Sequence, residues 1–147
     1  MKYVDVIAGV IWQDGRFLAT QRIRGRHVGL WEFPGGKVKA GESNLRALAR
    51  ELYEELGITL EEAHPWRSAQ YMDGDRCIRL HVYHVLRFSG EPQALEQQVL
   101  HWWTCHEACG LPFLEVDAPL VRELAGIAGP AMPDVAVSYD LDCPAAV

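Results

Sequence analysis

Four glutamates stand within Gly36 to Ile58, at Glu42, Glu51, Glu54 and Glu55. Ser43 can cap a helix that starts after it, because its hydroxyl accepts from the free N–H groups of the first turn. No Pro or Gly interrupts the chain from there to Leu56, and Gly57 suits the left-handed residue that closes a helix. On that helix Leu45, Leu48, Ala49, Leu52 and Leu56 recur at three- and four-residue intervals as one apolar stripe. Glu51, Glu54 and Glu55 share a separate face, where like charges repel and the helix dipole disfavours them. The one cation on the helix's second half, Arg50, can pair with Glu54 one turn on. Two readings follow. The surplus charge collects a hard cation such as Mg²⁺, which takes carboxylate, water and phosphate oxygens, or the helix presents a solvated acidic face.

The residues before the helix bear on that choice. Trp31-Glu32-Phe33-Pro34-Gly35-Gly36-Lys37 is a Pro-Gly-Gly loop with freedom for unusual backbone angles. A backbone carbonyl there can serve as a further oxygen ligand, and Lys37 can approach phosphate. The whole pattern runs from Gly36 through Glu42 and Arg50-Glu51 to Glu54-Glu55, Gly57 and Ile58. It resembles the Nudix box of the nucleoside-diphosphate-linked hydrolases, with every defining position filled. Leu30 to Gly36 and the order of elements over roughly residues 3–128 look like the MutT branch of that family.

The resemblance implies an α+β Nudix fold, a mixed β-sheet sandwiched between helices. It implies Mg²⁺-dependent cleavage of nucleoside triphosphates to monophosphate and pyrophosphate, with Mn²⁺ as a substitute cofactor. The leading substrate is 8-oxo-dGTP, which would make the protein a sanitiser of the nucleotide pool in the service of DNA repair. The implied metal ligands are the Gly35 carbonyl, Glu51, Glu54, Glu55 and the later acid Glu96, with Glu42 and Arg50 bracing the site. Glu51 or Glu54 is expected as the base that takes a proton from water, with Glu96 the other candidate. The implied base pocket comprises Arg22, Phe33, Asp75, Arg76, Ile78 and Asp117, with His27 mapping loosely. Asp117 departs from the 8-oxoguanine-specific pattern, which has Asn there; an ionised Asp only accepts. That residue, the stretch Cys77 to Gly90 and Glu96-Gln97-Gln98 look closer to pyrimidine-triphosphate hydrolases acting on CTP, dCTP and oxidised forms. Pro34 looks less like that group, which has Ala. A non-catalytic nucleotide sensor would be expected to lose a box glutamate, and none is lost. A sugar-nucleotide or dinucleoside polyphosphate hydrolase fits the base-pocket residues poorly.

Other elements must position these groups. A length of 147 residues and 49% hydrophobic content suit one domain, expected over residues 1–128, with a Pro-containing extension at 129–147 that is packed or partly disordered. A net charge of −6 argues against a nucleic-acid polymer as partner. No apolar run reaches a membrane span, no signal-peptide pattern opens the chain, and oligomeric state is unreadable. The four cysteines are read as free thiols of a cytoplasmic protein. Residues 3–12 read as a buried strand, Asp14-Gly15 as a hairpin turn and 16–22 as the return strand. In the cationic loop 23–30, substrate contact is assigned to His27, as to Arg22 just before it, and not to Arg24. Ile58 to Pro65 reads as a connector, 66–72 and 77–88 as strands around a turn at 73–75, and 96–104 as another strand. In the second of these, His81 and His84 fall on opposite faces, which disfavours a metal site from the pair. Cys105, Cys109, His101 and His106 match no usual zinc spacing. Residues 105–110 read as a short helix and 117–128 as a final helix, with Asp117 as its N-cap.

Overall fold

The structure is a computed structural model, and it describes residues 2–126. The expected boundary at residue 128 and the extension 129–147 lie outside the described residues. In chain order the elements are β1 (Lys2–Gln13), β2 (Arg16–Gln21), β3 (Trp31–Glu32), β4 (Gly35–Lys37), α1 (Asn44–Leu56), β5 (Thr59–Asp73), β6 (Arg76–Ser89), β7 (Val99–Trp103), α2 (Cys105–Ala108) and α3 (Ala118–Leu124). One sheet has the order β3-β2-β1-β6-β5, with β4 added to β1 and β7 to β2. β1 runs parallel to β6 over ten residue pairs, and the other pairings are antiparallel, so the sheet is mixed.

β1 is buried on both faces, which is why its sequence reads as a continuous apolar run. Ala8 and Val10 join Phe17, Trp31, Phe33, Leu80, Val82, Phe113 and Val121 on the face covered by α2 and α3. Ile7 and Ile11 join Leu18, Leu48, Leu52, Leu56 and Val85 on the face covered by α1. The sheet therefore lies between helices, as expected. Asp14 and Gly15 both have positive φ, 54° and 76°, the backbone that a two-residue hairpin with native twist requires. His81 and His84 do point to opposite faces. His81 bonds Asp5, whereas His84 accepts from Trp12 and packs on Trp66.

Helix α1 ends where its local signals place it. Ser43 accepts from the Arg46 N–H, and Gly57 closes the helix at φ 72°. Its buried face is Ala47, Leu48, Leu52 and Leu56. The expected stripe was displaced by part of a turn: Leu45 is 48% exposed and Ala49 only partly buried. Ala47 is fully buried in their place. Burying the three leucines contributes roughly 5–9 kcal/mol before chain entropy is subtracted.

Three further expectations are corrected. Ile58 to Pro65 is not a connector, because β5 starts at Thr59 and accommodates Pro65 through register shifts near Leu60–Arg67. The last helix ends at Leu124, and Asp117 makes no capping hydrogen bond, its carboxylate being used elsewhere. Cys105 and Cys109 are free thiols. No helix among the described residues is long and apolar enough to cross a membrane.

Candidate active site

Arg50 organises the acidic face of α1. Its Nε donates to Glu42 Oε2 at 2.7 Å, and its Nη2 donates to Glu42 Oε1 and to the Lys37 carbonyl, each at 2.9 Å. Its Nη1 donates to Glu51 and Glu54 at 3.0 and 3.1 Å. The sequence suggested a pair with Glu54 alone; one planar fork instead holds three carboxylates and the loop that precedes the helix. Its guanidinium pulls the Glu42 carboxyl down to about 2. Glu55 is left outside this network. It accepts from the Gly35 N–H at 3.2 Å. Burial, then the charges of Glu51, Glu96 and Glu32, push it up to about 9. Glu51 is also raised, by burial first and against the pull of Arg50.

The glycines of the loop make room for these acids. A Cβ on Gly36 would stand 2.4–2.6 Å from the Glu51 carboxyl group, and one on Gly35 would meet the Ile7 carbonyl at 2.0 Å. A Gly9 N–H to Pro34 carbonyl bond of 2.9 Å holds the loop on β1. Partly buried carboxylates that outnumber their one cationic partner, packed on a side-chain-free loop, fit a hard divalent cation. Among the described residues no three acidic, His or Cys side chains yet converge enough to enclose an ion, the Cys105–Cys109 region included. Glu32, Glu55 and Glu96 instead border a cleft from separate elements.

That cleft has a volume of about 630 Å³ and is lined by Gly35, Glu55 and Glu96, with Arg22, Arg24, Glu32 and Gln97 among the facing residues. Glu51 lies behind Gly36 and Glu54 on the exposed flank of α1; neither lines the cleft directly. Glu96 is carried by the loop after β6. The Leu95 N–H and the Gln98 side chain both donate to the Glu55 carbonyl at 3.2 Å, so this loop is fastened to the end of α1.

A second, inner pocket of about 330 Å³ adjoins the cleft and shares Arg22, Glu32, Phe33 and Gly35 with it. Ile78, Arg76, Lys37, Tyr71, Asp73 and Asp117 also line it. Asp117 is buried, and its Oδ2 accepts from the Phe33 N–H at 3.2 Å. Burial is the main cause that pushes its carboxyl up to about 7. Arg22 pairs with Glu32 through two N–H groups on the boundary between pocket and cleft. The Phe33 ring is 3% exposed and packs 5.6 Å from Phe17 and 6.1 Å from Phe113, so it is floor and core together. Arg76 is occupied by Asp73, and the Lys37 carbonyl by Arg50.

Two expected residues stand apart. His27, with φ 64°, lines an outer groove of about 620 Å³ that meets the inner pocket at Arg22, Tyr71 and Asp73. Asp75 sits on the exposed β5–β6 turn and lines none of these three cavities. Asp73, two residues earlier and still on β5, takes the place expected of it. The sequence reading weighed Arg24 and set it aside, and it passed over Glu32 and Tyr71. Glu32 alone left a signal, as an acid inside the otherwise apolar Leu30 to Pro34 beside a cationic loop.

The NUDIX domain model matches residues 2–124. The chain belongs to the Nudix family. It is 43% identical over 123 residues to the CTP pyrophosphohydrolase of Escherichia coli strain K12, covering 83% of this chain and 91% of that one. It is 36% identical over 125 residues to an 8-oxo-dGTP diphosphatase of Haemophilus influenzae, covering 84% and 92%. A solved MutT structure, from work on Aliivibrio salmonicida and Vibrio cholerae, superposes with a TM-score of 0.75 at 31% identity. It covers 85% of this Nudix chain and 98% of the MutT chain. The fold is the α+β Nudix fold.

Proposed function

We propose that the chain hydrolyses nucleoside triphosphates to a monophosphate and pyrophosphate with the help of Mg²⁺ or, in substitution, Mn²⁺. The observation that carries this reading is the joining of an acidic cleft to a separate pocket of about 330 Å³ through Arg22 and the segment Glu32 to Gly35. The Gly35 carbonyl, Glu51, Glu54, Glu55 and Glu96 would hold the cation. When bound, it would neutralise phosphate oxygens and acidify a water. The chain's own residues do the rest. Arg50 fixes Glu51 and Glu54 relative to the loop, and one of these two, or Glu96 across the cleft, accepts the proton of the attacking water. The partner is a free nucleotide, with no nucleic-acid polymer or membrane, in a cytoplasmic setting.

The base is the finer question. Glu32 and Asp117 both offer acceptor oxygens at the inner pocket. Such a pocket selects a base edge that carries N–H donors. The exocyclic amine of cytosine meets this, and the CTP-hydrolysing relative supports cytosine-type triphosphates. The second reading is 8-oxo-dGTP. An oxidised guanine also presents several N–H groups, and the Haemophilus relative supports it.

Pyrophosphate release with Mg²⁺ and with chelator, across CTP, dCTP, 5-hydroxy-dCTP, 8-oxo-dGTP, dGTP and an ADP-sugar, tests both levels. Metal-dependent release from the cytidine compounds is the expected outcome. Release from 8-oxo-dGTP alone would select the second reading. Turnover of the ADP-sugar alone would overturn the substrate class.

A further inference from the structure

Arg22 and Arg24 are the only cations among the described residues that line the acidic cleft. They differ in what holds them. Arg22 is neutralised by Glu32. Arg24 has no carboxylate partner among the described residues; its Nη2 donates to the side-chain amide of Gln97, which carries no charge. Gln97 faces it from the loop that bears Glu96, and holds a left-handed backbone, φ 64°, while its own N–H bonds the Ala94 carbonyl at 3.1 Å. A bridge thus crosses the cleft mouth from the loop after β2 to the loop before β7. It leaves a full positive charge over a cavity otherwise lined by Glu32, Glu55 and Glu96.

We infer that Arg24 is a substrate-contacting residue for the phosphate tail, aimed by Gln97 at the two phosphates that leave as pyrophosphate. This rests on the hydrolytic reading above and deepens it. The chemistry is specific. A triphosphate keeps negative charge beyond what one divalent cation offsets, and a guanidinium offers several N–H groups in a fork that fits phosphate oxygens. One N–H group is spent on Gln97, which orients the fork without cancelling its charge, and the others are left for the ligand. A carboxylate in place of Gln97 would orient the fork equally well but compete with phosphate.

The test compares Arg24→Met and Arg24→Lys with the parent protein. Binding of pyrophosphate and of the nucleoside monophosphate is measured by calorimetry in Mg²⁺, alongside KM and kcat for the preferred triphosphate. The Met variant is expected to weaken pyrophosphate binding about tenfold or more and to raise KM in step, the scale of a lost charged hydrogen bond. Its monophosphate affinity and thermal midpoint stay unchanged, and Lys restores part of the loss. Unaltered pyrophosphate binding in the Met variant overturns the inference, as does an equal loss of monophosphate binding. A parent protein that does not bind pyrophosphate overturns it too. A parent that binds pyrophosphate through Arg24 yet hydrolyses no triphosphate upholds the contact and sinks the hydrolytic reading alone.

Discussion

Arg50 and Arg22 both sit among carboxylates, and they treat them differently. Arg50 spreads its N–H groups over Glu42, Glu51, Glu54 and the Lys37 carbonyl, so four groups from the loop and α1 share one anchor. Arg22 pairs with a single carboxylate, Glu32, through two N–H groups, and spends one further contact on the Arg26 carbonyl; its side chain is 37% exposed. The first arrangement is over-determined, since no acid can shift without breaking a shared network. The second is a single bond set that a ligand can exchange. On the proposed function, the Arg50 network would hold its acids in one geometry, whereas the inner pocket would accept a base by rearranging a few polar contacts. The chemistry should therefore be brittle and the base preference adjustable.

The sharpest way to break this contrast is at Glu54. Glu54→Gln is expected to lower kcat by at least about 100-fold, the scale of a lost base or ligand, with the circular dichroism spectrum unchanged. Near-full turnover by a folded variant would remove Glu54 from the site. Next comes Arg50→Met, expected to cut kcat about 10–100-fold and to weaken Mg²⁺ binding, because it acts through its neighbours. If Mg²⁺ affinity holds, the anchor does not matter to the metal. On the adjustable side, Asp117→Asn should shift the ratio of kcat/KM between cytidine triphosphates and 8-oxo-dGTP about tenfold toward the latter, with kcat for the better substrate kept within a few-fold. An unmoved ratio means that Asp117 does not read the base.

The same substitution has a stability signature. Asp117 loses its proton near 3.8 when unfolded but only at about 7 in the folded chain. Between those values the native state binds the extra proton, so this residue's contribution falls as pH rises through the window, by up to a few kcal/mol. Urea unfolding of parent and Asp117→Asn proteins from pH 4 to 8 should show a decline specific to the parent. Parallel curves would mean that the buried carboxyl is ionised throughout. The smallest effect is at the helix start: Ser43→Ala should cost about 1 kcal/mol by the same measurement, with no change in KM.

What was legible in the sequence was local. Ser43 and Gly57 bound α1 because caps are decided within a turn of the helix, and Asp14-Gly15 makes its hairpin for the same reason. Glu51, Glu54 and Glu55 could be read because they share one helix. Longer-range choices were not written locally. Asp117 obeys the grammar of an N-cap, yet its carboxylate serves Phe33, which is 84 positions away. Arg24 and Gln97 lie 73 positions apart. β3 and β4 have two and three residues, too few for any period to show, and Gly35-Gly36 is a poor strand former that pairs because β1 offers it an edge. Leu45 scored as apolar, but only packing could tell that Ala47 faces the sheet.

The segment from Phe33 to Gly36 behaves as a ruler. Its Phe33 amide is fixed by the buried carboxylate of the inner pocket, and its far end lies against Glu51 and Glu55. The three intervening steps can span at most roughly 10 Å. On the proposed function, a nucleotide seated by its base would thereby be offered to the glutamates at one distance only. Molecules with the right base but a shorter tail would occupy the protein without presenting a phosphorus to it. One residue added or removed between Phe33 and Gly36 would leave both ends intact and put them out of step.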